Sequence, residues 1–397
     1  MCYGHIFRKP RWQITYHALT WPPMKVLVTG GAGFIGSHLV DALLAKGHDV
    51  RVFDSLESQV HGESGEVPSY LNRNAEFVRG DVCDRDALYR ALNGIEVVYH
   101  QASVVGVGQS MYQIRKYSQA NVVGTATLLD IIVNEKTKVG KLFLASSMSN
   151  YGEGRYKCAS CGIVFPKLRG LEQLKARRWE VQCPTCHSSL SSMPTDESKP
   201  LFPTSVYATN KRDQEEMFCQ VGLAYGIPTA VFRYFNVYGP RQALSNPYTG
   251  VIAIFSNCLL AGTIPVIFED GLQTRDFTSV HDIVQANMLA LEKHHSGVEI
   301  FNVGTGVPTN LVQLIEHLGR SLSMNFDKPI ECANRFRAGD IRHCFADTSH
   351  IQSQLRFQPQ VSLSVGLKEL TEWLTAQRPS EVLPKAILEL EAKGLVK

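Results

Sequence analysis

The chain has 397 residues, 44% of them hydrophobic and 19% charged, with 40 basic and 37 acidic side chains for a formal net charge of +3. That length and apolar content predict one large or two closely joined α/β units with a sizeable core. So even a charge balance implies no general affinity for nucleic acid or anionic membrane, and no apolar run approaches the ~20 residues that span a bilayer.

Residues 1–23 carry Arg8, Lys9 and Arg11 and lack the continuous apolar stretch of a signal peptide. They are expected to form a disordered extension ahead of Met24. From there the sequence reads strand, glycine turn, helix, strand. Lys25–Thr29 is a β-rich run, Gly30, Gly33 and Gly36 follow at G-x-x-G-x-x-G spacing, and Phe34 to Lys46 carries apolar residues at helical intervals. Such glycines let the backbone turn tightly and let a pyrophosphate approach the amides of a helix N-terminus, where the dipole favours anions. Gly36 also lets the helix pack closely. Phe34 and Ile35, which open the helix, are assigned with the glycines to a dinucleotide site. Gly47 ends the helix, and "DVRVFD" is the second strand. Asp54 closes it at the distance where a carboxylate accepts both adenosine ribose hydroxyls and repels a 2′-phosphate, so NAD is favoured over NADP.

"AEFVRGDVCD" predicts a third strand with Asp81 and Val82 at its end, near the adenine. "IEVVYHQAS" predicts a fourth and "KLFLASS" a fifth. Strands alternating with helices give a doubly wound parallel sheet, an α/β Rossmann fold. After Ser147 come Cys158, Cys161, Cys183 and Cys186, two C-x-x-C pairs with 21 residues between them. In a chain of ten cysteines with no export signal, this pattern points to a reducing, cytoplasmic compartment and a closed, structural zinc ribbon. His187 is a substitute ligand that four sulfurs make unnecessary. The ribbon's arm is basic through Arg155, Lys157, Lys167, Arg169, Lys175, Arg177 and Arg178 against Glu172 and Glu180, and reads as a solvated face rather than a phosphate or nucleic-acid contact. "SVYATNKRDQEE" then sets Tyr207 and Lys211 one helical turn apart on one face. A phenol is a poor base at its usual pKa near 10, and a neighbouring ammonium with a nicotinamide's positive ring would favour the phenolate. Ser147 can bond the same substrate oxygen.

The combination "TGGAGFIG", "GDV", "HQAS", "NVVGT", "SSMSNYG", "YATNK", "RYFNVYGPRQ", "RDFTSVHDI", "NVGTG" and "RAGDIR" resembles the extended short-chain dehydrogenase/reductases of the nucleotide-sugar epimerase/dehydratase group, from about Lys25 to Trp373. The resemblance implies a Rossmann domain over 24–151 and 194–235 that holds NAD, with 152–193 as the ribbon insertion. It also implies a smaller substrate-binding lobe, mainly 236–377, some of whose segments return to the Rossmann domain, with 378–397 as a tail or helix. Gln101, Ala102, Ser103 and Asn121 are thereby assigned to the coenzyme. Ser147, Ser149, Asn236, Arg275, Arg337 and Asp340 are assigned to a nucleoside-diphosphate sugar, the arginines as diphosphate clamps. Phe268 reads equally as a base platform or as plain core. A homodimer through a four-helix bundle is implied as well.

Dehydratases of the group carry an Asp-Glu pair where this chain has Met148 and Ser149, so elimination is disfavoured and reversible oxidation at sugar carbon 4 is expected. Tyr207 would take the hydroxyl proton while the coenzyme takes a hydride; the keto sugar would then rotate and the hydride return to its other face, which amounts to 4-epimerization. The insertion, with "YGEGRY" before it and "GPRQALSNPYTGV" after, resembles the subgroup that converts dTDP-L-rhamnose to dTDP-6-deoxy-L-talose. UDP-glucose or UDP-N-acetylglucosamine 4-epimerization is the nearest alternative. An NADP-using 4-ketoreductase and a non-catalytic NAD- or RNA-binding module are the others. The ribbon leaves and rejoins the chain between Ser147 and Tyr207, so it is expected to form a lid or specificity wall beside the cleft.

Overall fold

The computed structural model describes residues 22–243, 250–293, 296–324, 332–337, 339–375 and 389–396. The expected extension therefore lies almost wholly outside the described residues, as do 244–249 of the substrate loop and most of the tail. Five strands follow the order read from the sequence: β1 (Lys25–Thr29), β2 (Asp49–Asp54), β3 (Glu76–Arg79), β4 (Val97–His100) and β5 (Lys141–Ser147). Three short strands of the insertion come next, β6 (Arg155–Cys158), β7 (Gly162–Val164) and β8 (Leu190–Met193). They are followed by β9 (Thr229–Tyr234), β10 (Asn236–Tyr238), β11 (Thr274–Ser279), β12 (Val298–Val303), β13 (Pro308–Asn310) and β14 (His343–Cys344).

The main sheet has seven strands in the order β12-β9-β5-β4-β1-β2-β3, and every pairing is parallel. Parallel strands covered on both faces read as unbroken apolar runs, and β1 is buried from Val26 to Thr29. Its pleat divides the core. Val26 and Val28 face the helices Phe34–Ala45 and Val280–Glu292, while Leu27 faces Leu128, Ile131 and Phe218. Strand order reverses where β1 separates β2 from β4. In open α/β sheets ligands bind beyond the carboxyl ends of the strands at such a switch point.

A second sheet joins β10, β11, β13 and β14 beside the apolar cluster of helices Val251–Leu260, Leu311–Ser321 and Leu363–Thr375. This is the smaller lobe. Within 236–377, helix Val280–Glu292 and β12 belong to the Rossmann layers, because they bury Ile283, Ala286, Phe301 and Val303 against the main sheet. Among the described residues no helix is long and apolar enough to cross a membrane.

The insertion folds as an antiparallel sheet, β7-β6-β8, with the four cysteines at one end. Two of its expectations are corrected. Arg169 is no solvated side chain: it is buried, and both terminal nitrogens bond Glu269 at 2.8 and 2.9 Å. Nor does any described residue of 152–193 line the main cavity. The insertion docks on the smaller lobe, where Gly154 N donates to His343 O at 2.9 Å and β8 lies beside β14.

Candidate active site

One cavity of about 570 Å³ runs along the switch point. At one end it is lined by Gly30, Gly33, Phe34, Ile35, Gly36, Asp54, Asp81, Val82, Gln101, Ala102 and Ser103. Gly30 has φ +68°, and a Cβ there would meet the Ala102 backbone at 2.7 Å. On Gly36 a Cβ would lie 2.3 Å from Gly30 O, so helix Phe34–Ala45 rests on the glycine turn itself. Gly33 caps that helix without a side-chain hydrogen bond, leaving its first amides to a ligand. Asp54 is buried at the end of β2. Its Oδ2 accepts from Ala32 N at 3.0 Å and its Oδ1 from Leu56 N at 2.9 Å. Each carboxylate oxygen keeps a further lone pair for a ribose hydroxyl. Tyr70, which sequence reasoning missed, donates to Ala32 O at 2.9 Å and steadies the same turn.

At the other end of the cavity stand Ser147, Ser149, Tyr207 and Lys211. Ser147 ends β5, and helix Val206–Tyr225 begins at Ser205, whose hydroxyl accepts from Ala208 N at 3.1 Å. Tyr207 and Lys211 therefore leave the first turns of one helix on the face toward the sheet. Lys211 Nζ donates to Ala145 O at 2.8 Å. Ser147 Oγ accepts from Ser149 Oγ at 2.9 Å, which frees its own proton. Burial pushes the Tyr207 phenol up to about 12, with the Ser147 hydrogen bond pulling the other way. Burial lowers the Lys211 ammonium to about 7. The depressed phenol expected from the sequence is thus not produced by Lys211 alone; it needs a second positive charge at this end of the cavity. The carboxylates among the described lining residues are Asp54, Glu57 and Asp81, all from the glycine-turn half of the chain.

Beneath this end lies a buried network that the sequence did not disclose. Ser146 Oγ donates to Glu215 Oε2 at 2.8 Å, Glu215 pairs with Arg233, and Arg233 donates to Tyr151 Oη at 2.8 Å. Glu215 follows Lys211 by one helical turn, the only signal of its direction. Tyr234 also faces the cavity, with its hydroxyl accepting from Gln101 Nε2 at 3.3 Å.

The remaining expected binders divide. Asn236 lines the cavity with its Oδ1 buried and unpartnered, an acceptor open to a ligand. Asn121 is fully buried and is not among the lining residues. Its amide donates to Val104 O at 3.0 Å and accepts from Val104 N at 2.8 Å, so it fastens the cavity wall. Arg275 also stays out of the lining and directs its guanidinium at the carbonyls of Thr274, Ile341 and Arg342. Arg337, Asp340 and Phe268 are likewise not among the lining residues; Arg337 and Asp340 pair with each other at 2.9 Å, with the Arg337 guanidinium 5.0 Å from the Phe268 ring centre.

The four cysteine sulfurs lie within 4.8 Å of one another, and His187 is not part of the group. Tetrahedral zinc–thiolate bonds of about 2.3 Å set sulfurs about 3.8 Å apart, so the spacing fits a closed site.

Comparison with known proteins agrees with this arrangement. Residues 26–162 and 183–304 match the NAD dependent epimerase/dehydratase family, and the unmatched stretch between falls within the insertion. A dTDP-L-rhamnose 4-epimerase of Burkholderia thailandensis is 36% identical over 356 residues, which are 89% of this chain and 95% of that one. Among solved structures, the Thermotoga maritima UDP-glucose 4-epimerase with UDP-glucose is similar at TM-score 0.72 and 32% identity, covering 89% of this chain and 99% of that one. A Bacillus cereus UDP-glucuronic acid 4-epimerase with UDP-glucuronic acid and NAD matches at TM-score 0.70 and 28% identity, over 89% and 99%. The chain belongs to the NAD-dependent epimerase/dehydratase family.

Proposed function

We propose that this family member is an NAD-dependent nucleotide-sugar 4-epimerase that interconverts dTDP-L-rhamnose and dTDP-6-deoxy-L-talose. The observation that carries the reaction type is the cavity's reactive end, which supplies a phenol, an ammonium and two hydroxyls but no described carboxylate. Elimination of water from a keto sugar needs an acid there; reversible oxidation does not. The Burkholderia relative favours the dTDP-6-deoxyhexose. A UDP-sugar is the second reading, favoured by the Thermotoga neighbour.

The glycine turn, Asp54, Asp81, Val82 and the Gln101–Ser103 wall would hold NAD, which when bound would accept a hydride from sugar carbon 4 and, once the keto sugar has turned over, return it to the opposite face of that carbon. Tyr207 Oη takes the proton of the 4-hydroxyl and later gives it back to the same oxygen. Ser147 donates to that oxygen, and Ser149 orients Ser147. Lys211 Nζ, anchored on Ala145 O, supplies positive charge beside the phenol when it is protonated. Asn236 contacts the sugar or diphosphate. Arg337 and Asp340 hold the diphosphate and ribose, with Phe268 under the base. Asn121, assigned to the coenzyme, would act by bracing the Val104 wall, and Arg275, assigned to the diphosphate, would act by holding the 341–342 carbonyls.

Cys158, Cys161, Cys183 and Cys186 would hold one zinc, which cross-links the insertion. The protein would work in a reducing, cytoplasmic compartment where those thiols remain available. A homodimer would pair helices Gly124–Asn134 and Val206–Tyr225, near which Ile114, Val123, Leu223 and Tyr225 leave apolar surface exposed.

The test is incubation with a panel of dTDP- and UDP-sugars without added coenzyme, with product stereochemistry read by NMR. Inversion at carbon 4 of dTDP-L-rhamnose is expected. Turnover only with added NADPH, giving a reduced sugar, would replace the epimerase by a ketoreductase.

A further inference from the structure

The insertion sits far along the chain from Arg337 and Asp340, yet one of its buried side chains ends on that segment. Arg169 has a side chain 1% exposed. One terminal nitrogen donates to Trp179 O and Glu269 Oε2, each at 2.8 Å. The other donates to Glu269 Oε1 at 2.9 Å and to Asp340 O at 3.1 Å. A single planar guanidinium thus ties the insertion's own backbone, a loop of the smaller lobe and the carbonyl of Asp340. A bidentate fork fixes direction as well as distance, which an ammonium cannot do.

Arg342 makes the reciprocal connection from the lobe. Its side chain is fully buried, and it bonds Glu180 of the insertion at 2.9 Å, Glu269 at 3.1 Å and Asp270 at 2.6 Å. Glu269 is shared by both arginines. Between these ion pairs, Trp179 meets Phe336 at 6.4 Å between ring centres, with Leu174 beside them. Phe336 immediately precedes Arg337. The residues on both sides of Arg337 and Asp340 therefore rest on the insertion, through Phe336, the Asp340 carbonyl and Arg342. Trp179 and Glu180 lead within four residues to Cys183, so closing the four-sulfur cluster fixes the path of the chain that presents them.

We propose that the insertion is a brace for the nucleoside-diphosphate half of the substrate site, with Arg169 and Glu180 as positioning residues that set substrate affinity without taking part in the chemistry. This rests on the reading of Arg337 and Asp340 as diphosphate and ribose contacts. The brace replaces the lid or wall expected from sequence position. It also gives the cysteine cluster a consequence for substrate affinity, through the chain it anchors.

The experiment titrates dTDP and UDP into the full-length, coenzyme-loaded protein by calorimetry, for wild type, Arg169→Lys, Arg169→Met and Glu180→Gln. Coenzyme content and zinc content serve as checks of folding. Glu180 is 57% exposed and also meets His343 Nε2 at 3.2 Å, so Glu180→Gln leaves a folded protein in which the insertion's grip on Arg342 and His343 is weakened. The expected result is a nucleotide Kd raised about tenfold, or 1.4 kcal/mol, in Glu180→Gln. A larger loss is expected in Arg169→Met, partly restored in Arg169→Lys. In turnover KM rises while kcat stays within about threefold, the pattern of lost ground-state binding. Unchanged Kd in the folded variants would overturn the brace, as would a fall in kcat at constant KM. A wild type that binds neither dTDP nor UDP would instead overturn the reading of Arg337 and Asp340, so the two failures are told apart.

Discussion

Replacing Asp54 by asparagine removes one negative charge from a site whose side chain is 9% exposed. A 2′-phosphate set about 4 Å from the carboxylate would be opposed by about 4 kcal/mol per unit charge at an effective dielectric of 20. That corresponds to about a thousandfold discrimination against NADP. Asp54→Asn should therefore raise the affinity for NADP relative to NAD by about a hundred- to a thousandfold. A second effect acts on both coenzymes. The carboxylate accepts from Ala32 N and Leu56 N through different oxygens, and an amide side chain has only one oxygen. One buried N–H thus loses its acceptor, at a cost of about 1–3 kcal/mol in stability of the glycine turn. Calorimetric titration of both coenzymes into stripped protein measures the ratio, and mass spectrometry identifies what each protein carries through purification. A ratio that moves less than about threefold, with the turn weakened all the same, would show that Asp54 braces the backbone and does not select the coenzyme.

Tyr207→Phe should retain NAD and lose about 10²–10⁴ in kcat, the range of a general acid–base contribution, as measured with the best nucleotide sugar of the panel. The active form needs a deprotonated phenol. With Tyr207 held high by burial and Lys211 lowered to about 7, kcat/KM should rise with pH on its acid side, and Lys211→Met should move that limb upward. An unmoved limb would free Lys211 of any electrostatic role. Arg233→Met leaves Glu215 buried without its guanidinium under Ser146, and thermal unfolding should show a loss of about 3–5 kcal/mol. Cys183→Ser should lose a zinc stoichiometry of about one per chain in elemental analysis and keep NAD; a variant that loses both would show the insertion to be part of the main fold.

The local signals were legible. A glycine turn, an acid at the end of the next strand and a tyrosine–lysine pair one turn apart are each determined by residues near in sequence, and the structure brings them to one cavity. Pairings that join distant segments were not. The edge strand β12 and helix Val280–Glu292 return to the main sheet from within the stretch assigned mainly to the second lobe, and only a packing partner tells them from its own elements. Asn121 carries the residue type of a coenzyme contact, and its amide bonds Val104 N and Val104 O, a choice of neighbour that no spacing encodes. Arg169 was the clearest misreading. A run of lysines and arginines ordinarily marks a solvated face, and the carboxylates that draw this one arginine inside, Glu269 and its neighbours, lie a hundred residues away.

The central claim is a transient oxidation at carbon 4 in which one hydride leaves and returns. It is tested most directly by following dTDP-L-rhamnose in deuterated water by proton NMR, with no coenzyme added. The signals of dTDP-6-deoxy-L-talose should grow in with full proton intensity at carbon 4, because only the oxygen-bound proton on Tyr207 exchanges with solvent. Deuterium at carbon 3, 4 or 5 of the product, or the absence of inversion with every sugar in the panel, would contradict the account.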